Sequence, residues 1–488
     1  MIVKEYKRLF LTITLLLYLL AGTNILTIIP VVKADPASLI ILHPHSAEFA
    51  NDVIEDFQEW YLDTYAESIT VSTIMKDSGA CYSTVEAWAG SPEADIWWGG
   101  GEYYFKKAVR PGNLFLEAYN VTDDADILDH FGGWDLKDPD FVTERRWYAA
   151  ALSSFGFMWN EEYLTANNLP EPETWEDLTK SIYKGHITMC DPAKSGSTTA
   201  TVLIVLQHFI TQAGWDEAEA GYEEAWAFWA NLTGNVGLFL ETSHAVPLYV
   251  VRGDYGIGIT IDYYSWEQEI AGMDVGFALG GGTTISADPA AILNGTTRLS
   301  QAQAFMDYIT SERGQEAVGK GRMPIREDAA ATAPVLSAWL NASDVPVIEG
   351  FNVTAYNVMY NNVRAMFSHW LVKNHATAKS AYGKILECED LELWDDEDYQ
   401  AAVTNYTKLP DVSDTYEEIL AMVDPEDNAE TWETWGATYF ASAATSADAA
   451  IAGAGDGNGE PPDNRPYIYA GVVIVIAVAA AYLYLRRR

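Results

Sequence analysis

The chain has 488 residues, enough for two lobes that each bury a core. Apolar residues make up 49% and aromatic residues 13%, interleaved with the acidic ones, which excludes a disordered chain. A formal charge of -41 excludes nucleic acid as a partner, because phosphate binding needs lysine and arginine in excess.

The first 34 residues read as a signal peptide or N-terminal apolar segment. Lys4, Lys7 and Arg8 precede an apolar run from Leu9, and Val32-Lys33-Ala34 offers a peptidase exit. The body then opens on a βα pattern. Leu39 to Leu42 predicts a buried strand, and the loop His43-Pro44-His45-Ser46 follows. Phe49, Val53, Phe57 and Tyr61 recur every four residues and predict an amphipathic helix with Ser46 as its N-cap. Ile69 to Ile74 predicts a second strand, and Asp95 to Trp98 a third that ends in Gly99-Gly100-Gly101. Strands alternating with helices imply a mostly parallel sheet covered on both faces.

The pattern restarts near Ala149. Ala150 to Trp159 predicts a strand crossing into a second lobe. His186 to Cys190 predicts another strand, followed by Asp191 to Ser197 and a long apolar helix from about Thr198. Val236 to Leu240 and Tyr255 to Ile261 add two more strands, and helical patterns dominate from Gln301. The stretch from Ala441 to 466 is rich in alanine, glycine, serine and aspartate and reads as a flexible stalk. Tyr467 to Leu485 is charge-free and apolar, about 28 Å long as a helix, which predicts a transmembrane anchor. Arg486 to Arg488 form a cytoplasmic tail by the positive-inside rule, so the body faces out. Six sequons, at Asn120, Asn231, Asn294, Asn341, Asn352 and Asn405, fit a glycoprotein on that outer side. Three cysteines are too few for a disulfide scaffold.

Several segments resemble the family 1 extracellular solute-binding proteins of ABC importers, in the ferric-iron and small-anion branch. They are Ala94-Asp95-Ile96-Trp97-Trp98-Gly99-Gly100, Asp191-Pro192-Ala193-Lys194-Ser195-Gly196-Ser197, and Thr283-Thr284-Ile285-Ser286-Ala287-Asp288-Pro289 with Ala291-Ile292-Leu293. Gln303 to Ile309 with Gly314-Gln315 is similar to the helix that follows in that family. The likeness runs from about Leu39 to Leu386. It implies an α/β, two-lobed, type II periplasmic-binding-protein-like fold, here with a C-terminal transmembrane helix. On that pattern 36–149 and 271–440 form lobe 1 with the C-terminal helices, and 150–270 form lobe 2. The implied partners are an ABC permease, its ATPase subunits and a small solute, with no catalytic residues.

Ligands of open α/β sheets bind beyond the carboxyl ends of strands, so the loops after the predicted strands are the candidates. Ser195-Gly196-Ser197 is the strongest. Glycine lets the backbone approach a ligand, and the hydroxyls and amides at a helix start suit an anion. His45, Ser46, Trp98, Gly99 and Asp262 join it on the same ground. Asp262-Tyr263-Tyr264 follows a strand, and the resemblance implies that such a tyrosine pair supplies phenolates to ferric iron carried as cargo, with His45 as a third ligand. Relatives that chelate iron place a carboxylate soon after the third strand, where this chain has its glycine run, with Glu102 as a candidate substitute. That departure favours a small anion. The competing functions are a sensory ectodomain and a surface enzyme. Gly280-Gly281-Gly282 is not a phosphate loop, and no His-Glu-x-x-His or Gly-x-Ser-x-Gly occurs.

Overall fold

Ten strands form the two main sheets of the computed structural model, which describes residues 37–110, 112–131, 134–330, 347–411 and 413–456. They are β1 (Ala37–His43), β2 (Ile69–Met75), β3 (Ile96–Trp98), β4 (Tyr148–Ser153), β5 (Phe155–Asn160), β6 (Ile187–Cys190), β7 (Val236–Leu240), β8 (Ile257–Ile261), β9 (Val275–Ala278) and β10 (Ser286–Ile292). The first sheet has the order β2-β1-β3-β10-β4 and the second β9-β5-β8-β6-β7. In each, parallel pairs (β1 with β3, β6 with β7 and β8) sit beside antiparallel ones made by the strands that cross between lobes.

Helix α1 (Ala47–Tyr65) shows why the amphipathic pattern works. Phe49, Val53, Phe57 and Tyr61 are buried on one stripe, and the Ser46 side chain caps the Phe49 amide. Helices α2 (Ser78–Trp88) and α3 (Glu102–Ala108) complete the N-terminal part of lobe 1. Helix α4 (Gly196–Ala213) is apolar nearly all round and is buried at every position from Thr198 to Ile210. It is wrapped by α5 (Ala218–Asn235), the second sheet and α10 (Val353–Phe367). Helices α6 (Ala245–Val251) and α7 (Asp262–Ile270) follow β7 and β8.

The chain passes between lobes twice. The run Ala150 to Trp159 is not one strand but two, since β4 lies in the first sheet and β5 in the second, with Ser154 between them. The return path runs from β9 to β10. Thr283 Oγ1 ties the two crossings by donating to the Phe155 carbonyl at 2.8 Å.

Three boundaries differ from expectation. β9 pairs with β5, so the second lobe extends past 270. Helices α8 (Leu299–Thr310) and α9 (Glu312–Val318) return to lobe 1, packing on α1 and the first sheet. The later helices do not follow them. α10, α11 (His375–Asp390) and α12 (Glu397–Thr407) pack on α4 and α5 of the second lobe. Residues 441–456, expected as stalk, continue helix α13 (Ala429–Asp456). Ala443, Ala447 and Ala450 are buried there, because small side chains let α13 approach α11 and α12 closely. Among the described residues no helix is long and apolar enough to cross a membrane. The expected segments 1–34 and 467–485 lie outside those residues.

Candidate functional site

A cavity of about 270 Å³ lies between the lobes. Ser78, Gly101, Glu102 and Asp288 line it from the first lobe, Ser195 to Ser197, His244, Tyr263 and Tyr264 from the second, and Tyr356 and Tyr360 from α10.

The start of α4 is its best-built wall. After β6, Pro192–Lys194 form a 3-10 turn, with the Asp191 carboxylate accepting from the Ala193 amide at 2.9 Å. Ser195 then caps α4, its Oγ accepting from the Thr198 amide at 3.2 Å and lying 3.0 Å from Ser197 Oγ. The amides of Gly196 and Ser197 come before the first intrahelical bond, so they are free to meet an anion. A Cβ on Gly196 would stand 3.1 Å from Ser78 Cβ and 3.3 Å from Tyr360 Oη, which is why glycine fits where the facing lobe comes closest. Tyr360 also donates to the Gly196 carbonyl at 3.3 Å and stacks on Tyr103 at 4.2 Å.

The glycine run after β3 has another use than expected. The amides of Gly100 and Gly101 both donate to Asp288 Oδ1, at 2.6 and 3.1 Å. A carboxylate therefore does stand against this run, supplied from β10. Gly99 has φ of +90°, and a Cβ there would lie 2.5 Å from the His45 ring. That close cover explains where His45 goes. It is buried beneath Gly99, 4.3 Å from the Trp98 ring, and faces the lobe's interior rather than the cavity. Burial and the nearby Arg322 cation push its pKa well below the usual range, and push His43 down to about 4.

Trp98 is also absent from the cavity wall. It packs on His43, His45, Phe49 and Phe305, while Trp97 stacks on Phe105. β3 is the middle strand of its sheet, so both of its faces are covered. Ser46, beyond capping α1, donates to Glu267 Oε1 at 2.9 Å and so links the lobes. Asp262 accepts from the Ser154 amide at 2.6 Å, the Ser154 hydroxyl at 2.8 Å and the Tyr263 amide at 2.7 Å. It fastens the first crossing rather than meeting solute, and burial raises its carboxyl to about 7. Of the ten expected residues, Ser195, Gly196, Ser197, Tyr263 and Tyr264 share the cavity; His45, Ser46, Trp98, Gly99 and Asp262 support it from behind.

Arg322 had no signal in the sequence. Its side chain is fully buried, with the guanidinium 3.2 Å from the centre of the Tyr263 ring and 4.1 Å from that of Phe49. The nearest carboxylate oxygen, Glu267 Oε1, is 3.8 Å away. Both tyrosine hydroxyls are held protonated by burial, Tyr264 pushed up to about 12 and Tyr263 raised well above the usual range. His244 closes another side, its Nε2 3.2 Å from the Pro44 carbonyl of the facing lobe. Glu102 is nine-tenths or more buried, and burial lifts its carboxyl to about 7. Tyr356 and Tyr360 stand one turn apart, but nothing in that spacing announced a cleft. Among the described residues, no group of three or more histidine, cysteine, aspartate or glutamate side chains could hold a metal.

Residues 102–340 match the model of a family described as bacterial extracellular solute-binding proteins. The match spans just under half of the chain. An uncharacterized protein of Haemophilus influenzae shares 25% identity with the chain over 262 residues, which is 52% of the chain and 68% of the relative. The phosphoglycerate transport regulatory protein PgtC of Salmonella typhimurium is 28% identical over 180 residues, covering 36% of the chain and 42% of PgtC. The match thus spans less than half of PgtC. Among solved structures, the periplasmic binding protein P5PA has a TM-score of 0.52 at 23% identity, covering 66% of this chain and 94% of its own. The substrate binding protein of an ABC transporter from Agrobacterium tumefaciens has a TM-score of 0.52 at 15% identity, covering 68% and 95%. Both likenesses establish the two-lobed fold.

Proposed function

We propose that this chain is a solute-binding protein, the extracellular subunit of an ABC importer tethered by residues 467–485, and that it captures a small anion of phosphate-ester type for delivery to the permease. The observation that carries the reading is the start of α4. Two serine hydroxyls and two unbonded amides meet in a cavity that the facing lobe covers. The Arg322 cation behind Tyr263 adds positive potential, and Lys76 and Lys194 stand at the rim. The carboxylates on the wall are largely occupied. Asp77 accepts from the Ala80 amide at 2.8 Å, and Asp288 holds the glycine run. The name of PgtC, a phosphoglycerate transport regulatory protein, agrees with this chemistry. Calorimetric titration with inorganic phosphate, glycerol 3-phosphate and 3-phosphoglycerate tests the reading. One saturable site with the ligand recovered unchanged is expected, and no heat from any of them would refute it.

A second reading, ferric iron as cargo, is favoured by Tyr263, Tyr264 and Asp288 facing one cavity. It predicts a visible phenolate-to-iron charge-transfer band after exposure to ferric citrate, lost in a Tyr263→Phe, Tyr264→Phe protein. The guanidinium against Tyr263 opposes a trivalent cation there, so the anion reading predicts a colourless protein.

A further inference from the structure

We infer that the solute carries a hydrogen-bond donor beside its anionic group, and that Glu102 accepts from it, so that the cavity takes a hydroxylated or amino-bearing phosphate ester. This rests on the anion reading above and names the substrate class for it. Glu102 lines the cavity yet is only 2% exposed, and neither carboxylate oxygen receives a hydrogen bond of good geometry from the described residues. Its ion-pair partner is Lys106, one turn further along α3. That ammonium is shared, since it also lies 2.8 Å from Asp135 Oδ2. Two carboxylates thus divide one cation, and Glu102 is left with acceptor capacity in a buried place. A buried carboxylate is costly until donors reach it.

Beyond Lys106, no donor among the described residues reaches Glu102. The Trp134 indole N–H is spent on Thr284 Oγ1 at 2.7 Å, and Asn361 Nδ2 on the Tyr103 hydroxyl at 2.9 Å. Tyr103, Trp134 and Tyr356 make the neighbouring wall aromatic, suited to a carbon skeleton rather than to a second anionic group. A site built around a buried acceptor rejects a ligand that lacks the matching donor, because the acceptor is then left unpaired.

The test is a calorimetric ladder of similarly sized probes: n-propyl phosphate, glycerol 3-phosphate and 3-aminopropyl phosphate. The wild-type protein should bind the hydroxyl or the amino ester at least about tenfold more tightly than n-propyl phosphate. Glu102→Met should bring that ratio to within about threefold. Glu102→Gln distinguishes the donors, since the amide carbonyl still accepts from a hydroxyl but no longer pairs with an ammonium; preference is kept for the glycerol ester and lost for the amino one. Equal wild-type affinity for all three probes, or a ratio unchanged in Glu102→Met, would overturn the inference and leave the anion reading standing. Failure of every probe and of inorganic phosphate would remove both. The wild-type ladder decides the matter even if a variant does not fold.

Discussion

Replacing Ser197 and Ser195 separately by alanine distinguishes binding from capping. Ser195 Oγ caps α4 through the Thr198 amide, whereas Ser197 Oγ touches only Ser195 Oγ among the hydrogen bonds of this helix start. A hydroxyl contact to a charged ligand contributes about 1.5 kcal/mol, so Ser197→Ala should weaken binding of the best phosphate ester about tenfold. It should leave the melting temperature of the empty protein unchanged. Ser195→Ala should lose a similar factor in affinity and about 1 kcal/mol of helix cap besides. For a body of this size that cap is worth about 1 °C in melting temperature. Titration calorimetry reads the affinity and scanning calorimetry the stability. Unchanged affinity in Ser197→Ala would reduce the segment to a helix start. An equal loss of stability in both variants would show that the hydroxyls act as one structural pair.

Protease added to intact cells should release a soluble body by cutting after α13, between 457 and 466, because the helix protects the residues up to Asp456; a body resistant until lysis would refute the outward orientation. Asp262 supplies a pH signature. Its folded carboxyl sits at about 7 against an ordinary 3.8, so its contribution to stability is full below about 4 and is lost as the pH rises through 7. The melting temperature of the wild type should therefore fall more steeply from pH 5 to 8 than that of Asp262→Asn, and parallel curves would contradict the assignment.

The alternation of strands and helices was legible because each element carries its own period, as in Phe49 to Tyr61 or the apolar α4. The strand ends were legible too, and with them the position of Ser195 to Ser197. What a loop residue faces was not. His45 stands in the expected loop, but Gly99, lacking a Cβ, lets backbone close over the imidazole. Asp262 stands at the expected strand end, yet its carboxylate is spent on Ser154, more than a hundred residues away. Arg322 is defined by Phe49 and Tyr263, which only the fold brings to it. The alanine-rich 441–456 misleads in the opposite way. Alanine has the highest helix propensity and packs closely, but contributes little apolar signal to a pattern read for large side chains.

Closure of the lobes on a captured anion, without turnover, is the central claim. Cys81, Cys190 and Cys388 are buried, so a fluorophore pair can be placed on cysteines introduced at Val142 in lobe 1 and Leu248 in lobe 2, which are 65% and 50% exposed. Titration with glycerol 3-phosphate or 3-phosphoglycerate should change the transfer efficiency along a saturable one-site curve, with the ester recovered intact. A transfer efficiency that stays flat at millimolar ester, or an ester consumed during the titration, would contradict the account.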